Sequence, residues 1–231
     1  MTTIGSNLQA VRERIATACA GVQRPVTEVT LLAVSKTFGP GAVREAHAAG
    51  QLAFGENYIQ EAIEKMALLA DLPLQWHCIG PVQSNKTRLV AQHFDWMHTV
   101  DRLKIAQRLS EQRPDDRPPL NVCLQVNIDG GPSKSGVAPA EALELAQQVA
   151  ALPRLRLRGL MTIPEPGTTY EAQLAVHAQA AALFRELCDA GLALDTLSMG
   201  MTADLEAAVA AGSTMVRVGT AIFGERARPR P

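Results

Sequence analysis

The chain has 231 residues, of which 47% are hydrophobic, enough to build the core of one large or two small α/β domains. Its formal net charge is −1 and both signs are spread along the sequence, which excludes the basic surface that nucleic acid or an anionic membrane would require. The segment Arg12–Arg14 interrupts the N-terminus where a signal peptide needs an apolar run. No stretch approaches the roughly 20 apolar residues of a spanning helix. We therefore expect a cytoplasmic protein.

Cysteine and histidine spacing excludes two kinds of structural site. The cysteines lack a Cys-x-x-Cys pair and are expected to be free thiols in a reducing compartment: Cys19, Cys78, Cys123 and Cys188. Four histidines lack metal-ligand spacing and are expected on helix surfaces or in packing contacts, so no metal site is predicted: His47, His93, His98 and His177. His77 follows an apolar run and is a candidate to line a pocket.

The first predicted element is a helix, because apolar residues recur every three or four positions from Ile4 to Cys19 and Gly21 can end it. Eight short apolar runs follow, each ending in a glycine or polar residue: 29–36, 52–57, 76–80, 96–101, 120–127, 155–163, 194–200 and 214–219. Helical patterns separate them, and three of these helices are expected to end at Gly50, Gly191 and Gly212.

Eight strands that alternate with helices predict a single (β/α)8 TIM barrel with an extra N-terminal helix. The runs are rich in Val, Leu and Ile without strict alternation, as in parallel strands covered on both faces. A doubly wound open sheet is the alternative, but no Gly-x-Gly-x-x-Gly follows the first strand. Residues 113–119 form a polar loop rather than a linker, so we expect one domain over 1–231, with 225–231 as a disordered tail.

Lys36 ends the first predicted strand. A lysine at a strand end is usually only solvated. At a barrel mouth, however, functional residues gather at the carboxyl ends of strands. Desolvation and nearby cations there lower the pKa of a lysine from about 10.4, which frees the amine to condense with an aldehyde.

The last two strands indicate a phosphate site. Gly219 and Thr220 follow the eighth strand, where backbone N–H groups and a hydroxyl can hold an oxyanion at the start of a short helix. Gly200 would leave room for close approach after the seventh strand, and Ser198 can donate a hydroxyl. Each glycine alone is explained by a tight turn, but this fold commonly binds phosphate after its seventh and eighth strands.

Arg217 lies two residues before Gly219, so alternation places both on the same side of the eighth strand. An arginine inside a barrel needs a partner, because an unpaired buried charge costs several kcal/mol. That partner could be a carboxylate such as Asp204 or Glu56, or an acceptor on a ligand ring.

Six segments resemble the YggS/PROSC family of pyridoxal-phosphate-binding proteins. They occur in the expected order from about residue 4 to residue 224: VSK at 34–36, GEN at 55–57, HCIG-x-x-Q-x-NK at 77–86, SKSG at 133–136, LSMGMT at 197–202 and STMVRVGTAIFG at 213–224.

This resemblance implies a fold-type III barrel related to the N-terminal domain of alanine racemase, with pyridoxal 5′-phosphate (PLP) held as an aldimine on Lys36. It implies that Arg217 faces the pyridine nitrogen and that Asn57 lies near the ring oxygen. It also implies three phosphate ligands: Ser198, Gly219 and Thr220. The chain departs from the family pattern at Cys78, commonly a bulkier apolar residue, and at Thr202, often Ser.

The resemblance implies a carrier rather than an enzyme. A racemase needs a second base, which alanine racemase takes from a second domain, and only seven residues follow Gly224 here. The tyrosines, Tyr58 and Tyr170, are not in that context. A cation at the pyridine nitrogen also weakens the ring as an electron sink. We expect a non-catalytic, monomeric protein that buffers PLP in vitamin B6 homeostasis, with PLP-dependent apo-enzymes as possible partners.

Two alternatives stay open. One is a racemase-like PLP enzyme that uses Lys36 and a tyrosine. The other is a PLP-free aldolase in which Lys36 condenses with a sugar phosphate held at Gly219 and Thr220.

Overall fold

A computed structural model of the protein describes residues 3–131 and 135–225. The predicted disordered tail lies outside the described residues except for its first residue, as do Ser133 and Lys134 of the SKSG segment. None of the helices in the described ranges is long and apolar enough to cross a membrane.

Eight parallel strands form a closed barrel in sequence order, and β8 pairs with β1 to close it. The strands are β1 (Thr30–Val34), β2 (Ala53–Glu56), β3 (Gln75–Cys78), β4 (Trp96–Val100), β5 (Leu120–Gln125), β6 (Leu155–Met161), β7 (Thr196–Ser198) and β8 (Met215–Val218). Each lies within or overlaps one of the eight predicted runs, so the predicted (β/α)8 barrel is confirmed.

Helices follow the strands and surround the barrel. They are α1 (Ile4–Gly21), α2 (Pro40–Ala48), α3 (Ile59–Ala67), α4 (Thr87–His93), α5 (Leu103–Gln112), α6 (Ala142–Ala150), α7 (Tyr170–Asp189), α8 (Leu205–Ala211) and α9 (Thr220–Phe223). The extra helix α1 begins with a capping box between Thr3 and Ser6 and packs on α2, α8 and α9. The three glycines predicted to end helices have positive φ: Gly50, Gly191 and Gly212.

Side-chain alternation along the strands divides the apolar residues between two regions. The main core lies between strands and helices and includes Ala33, Phe54 and Val216. Strand residues next to these core residues in the sequence point the opposite way, into the barrel, and contribute to two smaller clusters. These clusters are Leu32, Val34, Ala53, Ile79 and Met215 in one, and Trp96, Cys123 and Met161 in the other. Buried polar side chains from β3, β4, β7 and β8 occupy the rest of the interior: His77, His98, Ser198 and Arg217.

Candidate functional site

A cavity of about 310 Å³ opens at the carboxyl ends of the strands, where this fold places its functional residues. Five of the six predicted site residues line it: Lys36, Asn57, Arg217, Gly219 and Thr220. The other lining residues are Val34, Ile79, Ile163, Met201, Thr202 and Ala203. The cavity therefore joins the first, second and last strands of the barrel in one space.

A buried ion pair contacts the backbone of Ser35, the residue before Lys36. The ammonium group of Lys65, on α3, donates to Oε1 of Glu56 at 2.7 Å and to the carbonyl of Ser35 at 3.0 Å. The hydroxyl of Ser35 donates to the same Glu56 oxygen at 2.6 Å. Because Ser35 precedes Lys36 in the chain, this ion pair fixes the backbone from which the Lys36 side chain extends.

The residue after Lys36 is also held by α3. The backbone N–H of Thr37 donates to Oε1 of Glu61 at 3.1 Å, and Thr37 has a φ of +69°. A left-handed conformation is uncommon for a β-branched residue and costs energy, so it persists only where its surroundings impose it. The contacts of α3 thus define the backbone on both sides of Lys36.

Burial raises the pKa of Glu56 above its ordinary value, and the nearby Lys65 charge and the hydrogen bonds from Lys65 and Ser35 offset part of that rise. Its second oxygen, Oε2, is buried without a hydrogen-bond partner among the described residues. The Lys65 ammonium therefore provides most of the interaction that offsets the cost of burying the Glu56 carboxylate.

Asn57 brings an unpaired acceptor to the cavity. Its side-chain oxygen is buried and has no hydrogen-bond partner within the described part of the chain. An unsatisfied buried carbonyl is uncommon and costs about 1–3 kcal/mol. A ligand that donates a hydrogen bond at this point would remove that cost.

The segment after β8 suits an anion. The N–H groups of Ile222 and Phe223 both donate to the carbonyl of Gly219, so those of Thr220 and Ala221 precede the first bonds of α9. A Cβ on Gly219 would stand 3.2 Å from the carbonyl oxygen of Val34, a tight contact. The absence of a side chain there lets the end of β8 approach β1 closely, and both Gly219 and Thr220 line the cavity.

Arg217 is buried, with 4% of its surface exposed, and reaches the cavity from inside the barrel. Its Nη1 donates to the carbonyl and the hydroxyl of Ser198 at 2.7 and 2.8 Å, and its Nη2 donates to the carbonyl of Thr162 at 2.8 Å. Burial lowers its pKa to about 10, so it stays charged at neutral pH.

The carboxylates expected as partners of Arg217 have other hydrogen-bond partners. Oδ2 of Asp204 lies 2.9 Å from Nε2 of His177, and Glu56 pairs with Lys65. The hydroxyl and carbonyl groups of the neighbouring strands, rather than a carboxylate, therefore accept the hydrogen bonds that position the Arg217 guanidinium.

Ser198 is the predicted site residue that does not line the cavity. It is fully buried, and its hydroxyl lies between Arg217 and Nδ1 of His98, which is 3.0 Å away. The hydroxyl therefore points into the barrel interior. A role as phosphate ligand stays a prediction that this placement does not favour.

Thr202 lines the cavity instead, although the sequence did not predict it as a site residue. Its signal in the sequence is its place at the end of the LSMGMT family segment, where the family often has another hydroxyl residue, Ser. Asp204 holds the turn that carries Thr202, because its Oδ1 accepts from the backbone N–H of Met201 at 2.6 Å.

Gly200 serves packing rather than ligand approach. Its φ is +91°, and a Cβ there would lie 2.4 Å from the Cβ of Ala208 on α8. The space beside Gly200 is therefore occupied by Ala208 of α8.

The barrel mouth continues beyond the first cavity. A second cavity of about 540 Å³ lies beside it, lined among others by Asn57, Tyr58, Lys86 and Arg102. A smaller one of about 230 Å³ shares Asn57, Ile79 and Ile163 with the first. Together they form an open trough across the mouth.

The histidine predictions were correct in part. His77 lies inside the barrel rather than in the cavity, whereas His98 is fully buried inside the barrel, in keeping with the expected packing contact. The described residues contain no group of three His, Cys, Asp or Glu side chains that could hold a metal ion.

The closed barrel and the lysine after β1 define the class of protein to which this chain belongs. The family model described as "Alanine racemase, N-terminal domain" matches residues 6–227. Alanine racemase shares the fold over part of its length. The chain superposes on alanine racemase of Clostridium difficile with a TM-score of 0.72 and 14% identity, covering 95% of this chain and 57% of that one.

Relatives of similar length are far closer in sequence. The chain is 61% identical over 226 residues to the "Pyridoxal phosphate homeostasis protein" of Pseudomonas aeruginosa, covering 98% of this chain and 97% of that protein. It is 56% identical to the protein of the same name from Escherichia coli K12, with 98% of each chain covered. The structure of PipY from Synechococcus elongatus with PLP bound is similar at a TM-score of 0.84 and 41% identity, covering 96% of this chain and all of that one. The chain therefore belongs to the YggS/PROSC family of pyridoxal phosphate homeostasis proteins.

Proposed function

We propose that the protein binds PLP in the 310 Å³ cavity and carries and buffers this cofactor without turnover of its own. The observation that carries the proposal is the convergence of Lys36 and the Gly219–Thr220 segment, from opposite ends of the chain, on one cavity. The solved PipY structure contains PLP, and the curated relatives are named for PLP homeostasis.

The residues present fit the cofactor. PLP carries an aldehyde, which condenses with a primary amine and releases one water. Lys36 supplies that amine. Thr220 and the backbone after Gly219 would bind the phosphate, and Thr202 provides a further hydroxyl in the same cavity. The side-chain oxygen of Asn57, which is buried without a partner among the described residues, would accept a hydrogen bond from the ring hydroxyl when that group is protonated.

Arg217 supports binding rather than carbanion chemistry. Its guanidinium would donate to the pyridine nitrogen, as the family resemblance implies, and its pKa of about 10 leaves it charged at neutral pH. A donor that does not release its proton keeps the ring nitrogen unprotonated, and an unprotonated ring is a weak electron sink.

The tyrosines give no second base in the cavity. Tyr170 begins α7 and is 47% exposed, while Tyr58 is 51% exposed and lines the neighbouring 540 Å³ cavity. Neither lines the cavity that contains Lys36. Racemisation needs a base on each face of the bound amino acid, so the arrangement favours a carrier.

The test of the carrier function has two parts. Purified protein loaded with PLP is incubated with L-alanine in deuterated water, and the α-proton is followed by NMR. We expect exchange close to that with free PLP, since a positioned general base would add about 10²–10⁴-fold. The same protein should restore activity to an added PLP-dependent apo-enzyme. Rapid exchange that disappears in Tyr58→Phe would establish a racemase-like enzyme instead.

Colour decides the remaining alternative. A yellow protein that borohydride bleaches carries PLP, whereas a colourless protein that borohydride links to a sugar phosphate would be a PLP-free aldolase. We further propose that the protein acts as a cytoplasmic monomer that delivers PLP to apo-enzymes. Its four cysteines are free thiols, three of them buried, which fits a reducing compartment.

A further inference from the structure

A line of five polar side chains crosses the inside of the barrel. Arg217 Nη1 donates to the Ser198 hydroxyl, whose oxygen lies 3.0 Å from His98 Nδ1. His98 Nε2 lies 2.9 Å from His77 Nδ1, and His77 Nε2 lies 3.0 Å from Oε1 of Gln75. We call this line the interior hydrogen-bond chain. It runs from the cavity to Gln75, an exposed residue at the start of β3.

The two ends of this chain determine where its protons lie. Arginine only donates, so the Ser198 oxygen accepts from Arg217 and its hydroxyl hydrogen is free to be donated to His98 Nδ1. An imidazole that accepts at Nδ1 carries its proton on Nε2 when it is neutral. His98 therefore donates from Nε2 to His77, and His77 donates from Nε2 to the Gln75 oxygen.

Both imidazoles are neutral at physiological pH. Burial and the nearby Arg158 charge lower the pKa of His77 to about 3, and burial, His77 and Arg217 place the pKa of His98 well below its ordinary value. His77 also stacks on Trp96, with ring centroids 5.1 Å apart and planes 10° apart. The imidazoles are thus fixed in orientation as well as in protonation.

We propose that His98 is a positioning residue for Arg217. By accepting the Ser198 hydrogen at Nδ1, it turns the lone pairs of that hydroxyl toward the guanidinium and so holds Arg217 in place at the cavity. This inference rests on the proposed function for the role of Arg217 toward PLP, but the orientation itself is a property of the protein alone.

A serine hydroxyl rotates freely unless an acceptor fixes its hydrogen. Without an acceptor on its far side, the hydrogen of Ser198 can rotate toward other acceptors, and one of the three hydrogen bonds of the guanidinium is weakened. Arg217 then retains the carbonyls of Ser198 and Thr162. The expected result is a looser guanidinium in a barrel that is still closed.

A pair of nearly isosteric variants isolates the acceptor. His98→Asn keeps an oxygen near the position of Nδ1, whereas His98→Leu has almost the same shape without it. In the protein without PLP, ¹⁵N NMR should show separate, slowly rotating Nη–H groups of Arg217 in wild type and His98→Asn. These signals should be averaged in His98→Leu. Equal behaviour of the two variants would overturn the proposal.

The tautomer in the wild-type protein provides a measurement that needs no variant. The imidazole ¹⁵N signals should show a protonated Nε2 and an unprotonated Nδ1 for both His77 and His98. A proton on Nδ1 of His98 would reverse the direction of the chain and overturn the proposal even if both variants failed to fold.

Binding of PLP is the final part of the test. His98→Leu should bind PLP roughly tenfold more weakly than wild type, the effect of about one hydrogen bond, while His98→Asn should lie within about threefold. Equal affinities of the two variants would count against the positioning role. If wild type bound no PLP at all, the proposed function would fail, and the NMR results would still decide whether His98 holds Arg217.

Discussion

The ammonium group of Lys65 lies 2.7 Å from Oε1 of Glu56, and both side chains are almost inaccessible, at 4% and 0% exposure. The pair links α3 to the end of β2 and, through the carbonyl of Ser35, to the backbone that precedes Lys36. A buried ion pair contributes little net stability, because desolvation offsets the attraction, but removal of one partner leaves the other charge without compensation.

We expect Lys65→Met to destabilise the protein by roughly 3–5 kcal/mol, because Glu56 is then buried without its main partner. Urea unfolding at neutral pH measures the change. The double variant Lys65→Met, Glu56→Gln removes the unpaired charge as well and should recover part of the loss. If the double variant were no more stable than Lys65→Met, the buried charge would not be the cause.

Lys36 should be the lysine that links PLP. Borohydride reduction followed by peptide mapping should find the pyridoxyl group on Lys36, since it lines the cavity with Thr220 and Arg217. Lys65 provides an internal comparison, because its amine is buried and bonded to Glu56. Most of the label on Lys65, Lys86 or Lys134 would contradict the assignment.

The sequence is sufficient to predict the barrel and five of the eleven residues that line the cavity at its mouth. Strand ends are recognisable because an apolar run stops at a polar residue or glycine, and a closed parallel barrel brings all such ends together. The positions of Lys36, Asn57 and Thr220 at such strand ends therefore assign them to one site. The family resemblance adds which ligand atoms each would face.

The sequence is not sufficient to predict contacts inside the barrel. Alternation relates only residues of the same strand, and which side chains of different strands meet across the interior, such as His98 of β4 and Ser198 of β7, depends on register and on rotamers. The same limit applies to the roles predicted for Ser198 and Gly200. The position of Thr202 depends on a loop held by Asp204, and a loop carries no periodic signal.

Two substitutions separate a phosphate contact from a ring contact. Thr220→Ala removes a hydroxyl from the cavity. It should lower the affinity for PLP by about one to two decades and the affinity for pyridoxal much less. Ser198→Ala acts through Arg217, which is assigned to the ring that both compounds share. It should therefore lower the affinities for PLP and for pyridoxal by the same factor. Titration of each protein with both compounds gives the four affinities. If Ser198→Ala weakened PLP alone, the Ser198 hydroxyl would contact the phosphate as the family resemblance implies.

The stability of the protein should fall steeply with acid because of the two buried imidazoles. In the folded state the pKa of His77 is lowered to about 3 and that of His98 lies well below 6.5, whereas in the unfolded chain both are near 6.5. Below that value the unfolded chain binds protons that the folded protein does not. Stability is therefore complete above about pH 6.5 and is lost as pH falls toward the folded pKa values.

Each imidazole should contribute about 1.4 kcal/mol of lost unfolding free energy per pH unit below about pH 6. Urea unfolding at several pH values between about 7 and 5 gives the slope, and the difference between wild type and a variant removes the contribution of other groups such as Glu56. His98→Leu removes one of the two groups and should reduce the slope by about that amount. Met161→Leu, a volume-conserving change inside the barrel without a titrating group, should leave the slope as in wild type. A slope in His98→Leu equal to that of wild type would show that His98 is already charged in the folded protein, or that the barrel admits water to it, and either result would contradict the neutral interior hydrogen-bond chain.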